Sequence, residues 1–156
     1  MSTEDKLSVV ILAAGLGTRM KSRRAKVLHE LGGLPLISHV VKTANKLDPE
    51  TILVVVGHQA EEVEKAVLEA VGEKASFVVQ AKQRGTGDAV EWARSQLENS
   101  DSLLLLLYGD TPAIRTETLQ KLIDHHRETG SACSILSVEL TNPTGYGRIV
   151  RSEVGS

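Results

Sequence analysis

Apolar residues fall in five dense blocks along the chain: SVVILAA (8–14), TILVVVG (51–57), ASFVVQ (75–80), SLLLLLYGD (102–110) and ACSILSV (132–138). The blocks are continuous rather than alternating, which predicts strands buried on both faces of a parallel sheet. Amphipathic patterns separate them. From Pro35, the positions Leu36, Ile37, Val40, Val41, Ala44 and Leu47 share one helical face, with proline suited to a first turn. A second helix is predicted over 59–71, with Val63, Ala66, Val67, Ala70 and Val71 inward and Glu61, Glu62, Glu64 and Lys65 outward. A third follows Gly87 through Leu97, and a fourth carries Leu119, Leu122 and Ile123. Strand and helix alternate, so the expected fold class is α/β: a mainly parallel sheet with right-handed crossovers and helices on both faces.

Open α/β sheets bind ligands beyond the carboxyl ends of their strands, near the switch point in strand order. Chemically unusual residues do collect there. The first strand runs into Ala13, Ala14, Gly15 and a basic loop, the second into Gly57 and His58, the third into Gln80 and RGTGD, and the fourth into Tyr108, Gly109 and Asp110. At the opposite edge, KLDPE (46–50) and EKA (73–75) read as plain polar turns.

The connection from Ala14 to Gly33 shows little periodicity and far exceeds the usual βα loop of about 2 to 6 residues. Gly15 and Gly17 allow close backbone approach to a ligand, and Arg19, Lys21, Arg23, Arg24 and Lys26 follow with no acidic residue before Glu30. By residue type alone, this is either a phosphate-binding loop or a solvated basic surface. A dinucleotide fingerprint would need glycine where Met20 stands, and the GK[ST] of a P-loop is absent, so neither motif applies.

Composition adds bounds rather than detail. The 156 residues are 41% hydrophobic and 24% charged, enough for one domain with a core, and the formal net charge of -2 argues against a general nucleic-acid or membrane binder. Any anion site must be local. A single cysteine, Cys133, excludes an internal disulfide framework, and MSTEDK lacks the apolar run of a signal peptide, so a reducing cytoplasm is expected. Cys133 lies within ACSILSV and is expected to be a buried, inert thiol. The five histidines lack metal-ligand spacing and read as structural or solvated.

LAAGLGTRMKS followed by KVLHELGGLPLISHV closely resembles the signature loop of the sugar-phosphate nucleotidyltransferase family, LAAGxGTRM and then PKxL. The resemblance implies the Rossmann-like nucleotide-diphospho-sugar transferase fold and a loop wrapped around a nucleoside triphosphate. It gives catalytic roles on the phosphates to Arg19 and Lys26, and nucleotide contacts to Leu12, Ala13, Ala14, Gly15, Gly17 and Lys26. Ala25 replaces the family's usual proline, which implies a less rigid backbone before Lys26.

Three further segments extend the resemblance. QAKQRGTGDAVEWA (80–93) matches a glutamine followed by a GTG turn; alone it is an ordinary helix start, and by resemblance Gln80, Gly85 and Thr86 read a uracil ring. Asp88 stands where family members often have histidine, and an acid there suits the helix dipole. LLLLLYGDTPAI (103–114) contains the YGD signature, and the resemblance places Tyr108, Gly109 and Asp110 among the substrate contacts; Asp110 reads as a turn cap before Pro112, as an Mg²⁺ ligand, or as both. NPTGYGRIVR (142–151) resembles the bacterial N-acetylglucosamine-1-phosphate uridylyltransferases, with the Gly147 backbone meeting the sugar and Tyr146 packing.

The resemblance therefore implies a cytoplasmic, Mg²⁺-dependent enzyme acting on UTP and N-acetylglucosamine 1-phosphate, without nucleic-acid or membrane partners. A relative using another base or sugar phosphate, or a nucleotide-binding fragment without turnover, would carry the same motifs. It further implies that residues 1–156 are the N-terminal part of a uridylyltransferase domain. The rest of the sugar pocket, and a left-handed β-helix acetyltransferase through which full-length relatives trimerise, would lie outside this chain.

Overall fold

A computed structural model of the chain describes residues 6–15, 22–82, 84–97 and 102–150. Its contacts divide the chain into two units, Met1–Gln120 and Lys121–Ser156.

The first unit is built on a four-stranded parallel sheet of β1 (Leu7–Leu12), β4 (Thr51–Val56), β5 (Ala75–Val79) and β6 (Leu103–Tyr108), in the order β5-β4-β1-β6. A two-residue hairpin, β2 (Glu30–Leu31) with β3 (Leu34–Pro35), stands apart from it. The helices are α1 (Leu36–Asn45), α2 (Ala60–Val71), α3 (Thr86–Arg94) and α4 (Thr116–Thr129). Alternating strand and helix produce the α/β class expected from the apolar blocks, because parallel neighbours require long crossovers.

Side-chain parity shows how the layers are made. Val10 and Leu12 of β1 and Leu53 and Val55 of β4 share a face and pack with Ala89 and Ala93 of α3. The alternate positions Val9, Ile11, Val54 and Val56 are completely buried too, as are Ile37, Val40 and Val41 of α1 and Val63 and Val67 of α2. The two central strands are therefore apolar without alternation because each face has its own helix layer.

Edge strands depart from that expectation. Along β6, Leu105 and Leu107 are buried whereas Leu104, Leu106 and Tyr108 are 44%, 38% and 47% exposed. Their register partners Ser8, Val10 and Leu12 lie on the α3 side of the sheet, and α3 covers β1, β4 and β5. An unbroken apolar block thus includes an edge strand covered on one face.

The expected strand over 132–138 does not form. No described residue of this segment enters a sheet ladder, and Ile135 and Val138 are 68% and 73% exposed. An apolar run supplies side chains for a strand, but backbone pairing must come from a neighbour. Cys133 is consequently exposed, not the buried thiol expected. Farther on, Asn142 accepts from the Thr144 backbone, and the Arg148 guanidinium donates to the Pro143 and Tyr146 carbonyls, which folds NPTGYGR into a turn. Tyr146 is 68% exposed and does not pack as expected. Among the described residues, no helix is long and apolar enough to cross a membrane.

Candidate functional site

The chain leaves β1, builds outward through β4 and β5, then returns to place β6 on the other side of β1. This reversal makes a crevice at the carboxyl ends of β1 and β6. A pocket opens there, lined by Leu12, Ala13, Ala14, Gly15, Lys26, Val27, Gln80, Gly85, Thr86, Ala89, Tyr108 and Asp110.

The ladder hydrogen bonds continue just past the strands and fix the pocket wall. Ala13 N–H donates to the Val55 carbonyl at 2.8 Å, Gln80 N–H to Val56 at 2.8 Å and Gly109 N–H to Leu12 at 2.9 Å. Gly85, with φ of 108°, turns the chain into α3 in a conformation that side-chain-bearing residues rarely adopt. Thr86 and Ala89, three apart on that helix, both line the pocket.

Lys26 is held at the rim by its neighbours. It begins a short 3₁₀ turn, Lys26–Leu28, whose Val27 and Leu28 are buried. The preceding Ala25 is fully buried with φ of −54° and ψ of 140°, an extended geometry that proline would also adopt. Its N–H donates to Gln59 Oε1 at 2.5 Å, a bond that proline lacks the donor to make. The looser backbone expected from Ala25 is thus restrained by Gln59, which lies at the start of α2 in a left-handed conformation with φ of 55°.

Lys26 Nζ donates to Asp110 Oδ2 at 2.5 Å, with the two side chains 43% and 28% exposed. Such a hydrated pair contributes little to stability, so its chemical meaning is positional: a mobile cation and a carboxylate face each other at the mouth of a largely apolar slot. Among the described residues, Asp110 is the only acidic one lining that pocket. Among the described residues, no group of three or more His, Cys, Asp and Glu is arranged to hold a metal ion. One carboxylate fits Mg²⁺ only where phosphates and waters supply the remaining ligands.

The other basic residues have different surroundings. Arg24 pairs with Glu30 at 3.1 Å, and the Arg23 carbonyl lies 3.4 Å from His58 Nε2. Gly17, Arg19 and Lys21 lie outside the described residues. Gly109 is absent from the pocket lining: a Cβ there would stand 2.8 Å from Ile37 Cδ1 and 3.2 Å from both the Leu12 carbonyl oxygen and Val27 Cγ1. Its glycine is required by close packing. Gly147 belongs to the second unit, with open space where a Cβ would project.

Val27, Ala89 and Gln59 were not singled out by sequence reasoning. Ala89 follows Thr86 by three helical positions, a spacing that offered a signal. Gln59 belongs to no motif and reaches Ala25 across 34 positions.

A parallel sheet with a slot and a cation–carboxylate pair at its switch point is an open α/β domain with its ligand site at the strand ends. The chain belongs to the MobA-like NTP transferase domain family, whose model matches residues 9–155. It is 51% identical over 151 residues to the bifunctional protein GlmU of Solibacter usitatus, covering 96% of this chain and 32% of that protein. The chain thus spans about a third of the length of that relative. Among solved structures, a nucleotidyl transferase from Methanothermobacter thermautotrophicus superposes with a TM-score of 0.61 at 26% identity, covering 77% of this chain and 57% of that one. Rv0371c from Mycobacterium tuberculosis, solved also with manganese, shares the fold, with a TM-score of 0.66, 21% identity, and coverage of 82% of this chain and 63% of that one.

Proposed function

We propose that this chain carries the nucleotide-binding part of a uridylyltransferase that joins UTP and N-acetylglucosamine 1-phosphate, releasing pyrophosphate and forming UDP-N-acetylglucosamine, a cell-wall precursor. The observation that carries the reading is the Lys26–Asp110 pair at the rim of a slot walled by Leu12, Ala13, Ala14 and Ala89, with Gln80 at one side. A flat base fits the apolar wall, and a triphosphate reaching the rim meets the ammonium. The resemblance of NPTGYGRIVR to N-acetylglucosamine-1-phosphate uridylyltransferases supports the uridine and N-acetylglucosamine substrates.

In this reading, the sugar phosphate oxygen attacks the α-phosphorus in line with the departing pyrophosphate, and no protein nucleophile is used. Lys26 releases Asp110 and turns to the α-phosphate, where its charge counts most as negative charge builds in the transition state. Asp110 would hold Mg²⁺, which when bound supplies electrostatic neutralisation of the phosphate oxygens. Arg19 grips phosphate oxygens, the Gly15 and Gly17 backbone contacts the triphosphate, and Tyr108 borders the slot.

Calorimetric titration of UTP into the chain tests the reading. Saturable one-to-one binding, stronger in Mg²⁺ than in EDTA, is expected; absence of UTP binding under both conditions would overturn it.

A further inference from the structure

The orientation of one carboxamide bears on how the slot tells bases apart. Gln80 is 3% exposed, held by its backbone bond to Val56, and lines the pocket. Its Nε2 donates to Asp88 Oδ2 at 2.6 Å. A carboxylate offers only lone pairs, so the end of the amide facing it must be the nitrogen. Gln80 Oε1 accepts no hydrogen bond from a described residue, nor is it among the fully buried unpaired atoms. It therefore keeps a free, reachable lone pair in a pocket-lining residue.

We infer that Asp88 is a positioning residue that sets base specificity, by fixing Gln80 so that its oxygen accepts the N3–H of uracil. The inference rests on the uridine reading above. Uracil presents a donor at N3, whereas cytosine presents an acceptor there. With Nε2 turned to Asp88, the other end of the amide, Oε1, is left for the base: a partner for the first and a lone-pair clash for the second. Sites that hydrogen-bond a particular group reject analogues lacking it strongly, because a polar atom is otherwise left unpaired. Asp88 is well placed for this because it stands in the first turn of α3, eight positions from Gln80, while Gly85 and Thr86 of the same turn line the slot.

The test is the ratio of UTP to CTP affinity, measured by calorimetry with Mg²⁺. Wild type is expected to favour UTP by about a hundredfold, the order of one well-made base contact. Asp88→Asn keeps the shape but lets the Gln80 amide turn over, and the ratio should fall to about tenfold or less. The double variant Gln80→Glu with Asp88→Asn reverses the pair's polarity while again leaving an acceptor for the base. It should recover the ratio to within a few-fold of wild type, a rescue that a merely structural role would not produce. A wild-type ratio near one, an unchanged ratio in Asp88→Asn, or no recovery in the double variant would overturn the inference while leaving the nucleotide site standing. Failure of wild type to bind either nucleotide would instead overturn the nucleotide reading itself, and this inference with it.

Discussion

Replacing Gln59 by methionine removes the acceptor for the Ala25 N–H while keeping side-chain length and the same left-handed backbone demand at position 59. Ala25 is fully buried, so its N–H is stranded away from water. An unsatisfied buried donor costs about 1–3 kcal/mol, and we expect Gln59→Met to destabilise by about 2 kcal/mol. Ala25→Pro instead removes the donor: its φ of −54° suits the ring, and the reduced freedom of the unfolded chain returns about 0.4–1 kcal/mol. Gln59 is only half buried, so water can reach the carboxamide it leaves unpaired. The double variant has neither a stranded donor nor a stranded acceptor and should regain about 1–2 kcal/mol relative to Gln59→Met. Urea unfolding followed by Trp92 fluorescence and far-ultraviolet circular dichroism measures this. At a urea slope of about 2 kcal/mol per molar, Gln59→Met should unfold about 1 M earlier and the double variant should recover at least half that shift. A double variant no more stable than Gln59→Met would refute the claim that this bond replaces proline in holding the Lys26 turn.

Three further outcomes follow from the same geometry. Gly109→Ala forces a Cβ against Ile37 Cδ1 and should cost about 1–3 kcal/mol in urea unfolding, with Ile37→Val, which deletes that methyl, restoring part of the loss. Asp110→Asn should abolish most of the Mg²⁺ dependence of UTP binding in calorimetry; an undiminished Mg²⁺ effect would remove Asp110 from the metal site. Lys26→Ala should lower UDP-N-acetylglucosamine formation by about a hundredfold or more in a complete catalytic domain while changing UTP affinity much less, and equal turnover would rule out its transition-state role.

The central layers were legible because β1 and β4 are covered on both faces, leaving a continuous apolar signal in the sequence. Composition could not distinguish those strands from β6, whose Leu104 and Leu106 look the same in sequence but lie at a sheet edge. The segment 132–138 failed as a strand for a related reason: hydrophobicity does not specify a pairing partner. The β2–β3 hairpin is too short for periodicity, although the Gly32–Gly33 pair, with φ of 59° and 82°, carried its turn signal. At the pocket, motif positions such as Ala14, Gln80 and Asp110 could be named because strand ends converge. The Gln59–Ala25 and Gln80–Asp88 bonds could not be read, since each depends on side-chain directions set by the folded chain.

The central claim is that the strand ends around the Lys26–Asp110 pair form the nucleotide site. Amide chemical-shift mapping of the ¹⁵N-labelled chain during titration with UTP and Mg²⁺ addresses it directly. The account predicts that the large perturbations fall on Ala13, Ala14, Gly15, Gly85, Thr86 and Asp110. Perturbations confined to the opposite edge of the sheet, at residues 46–50 and 72–75, would contradict it.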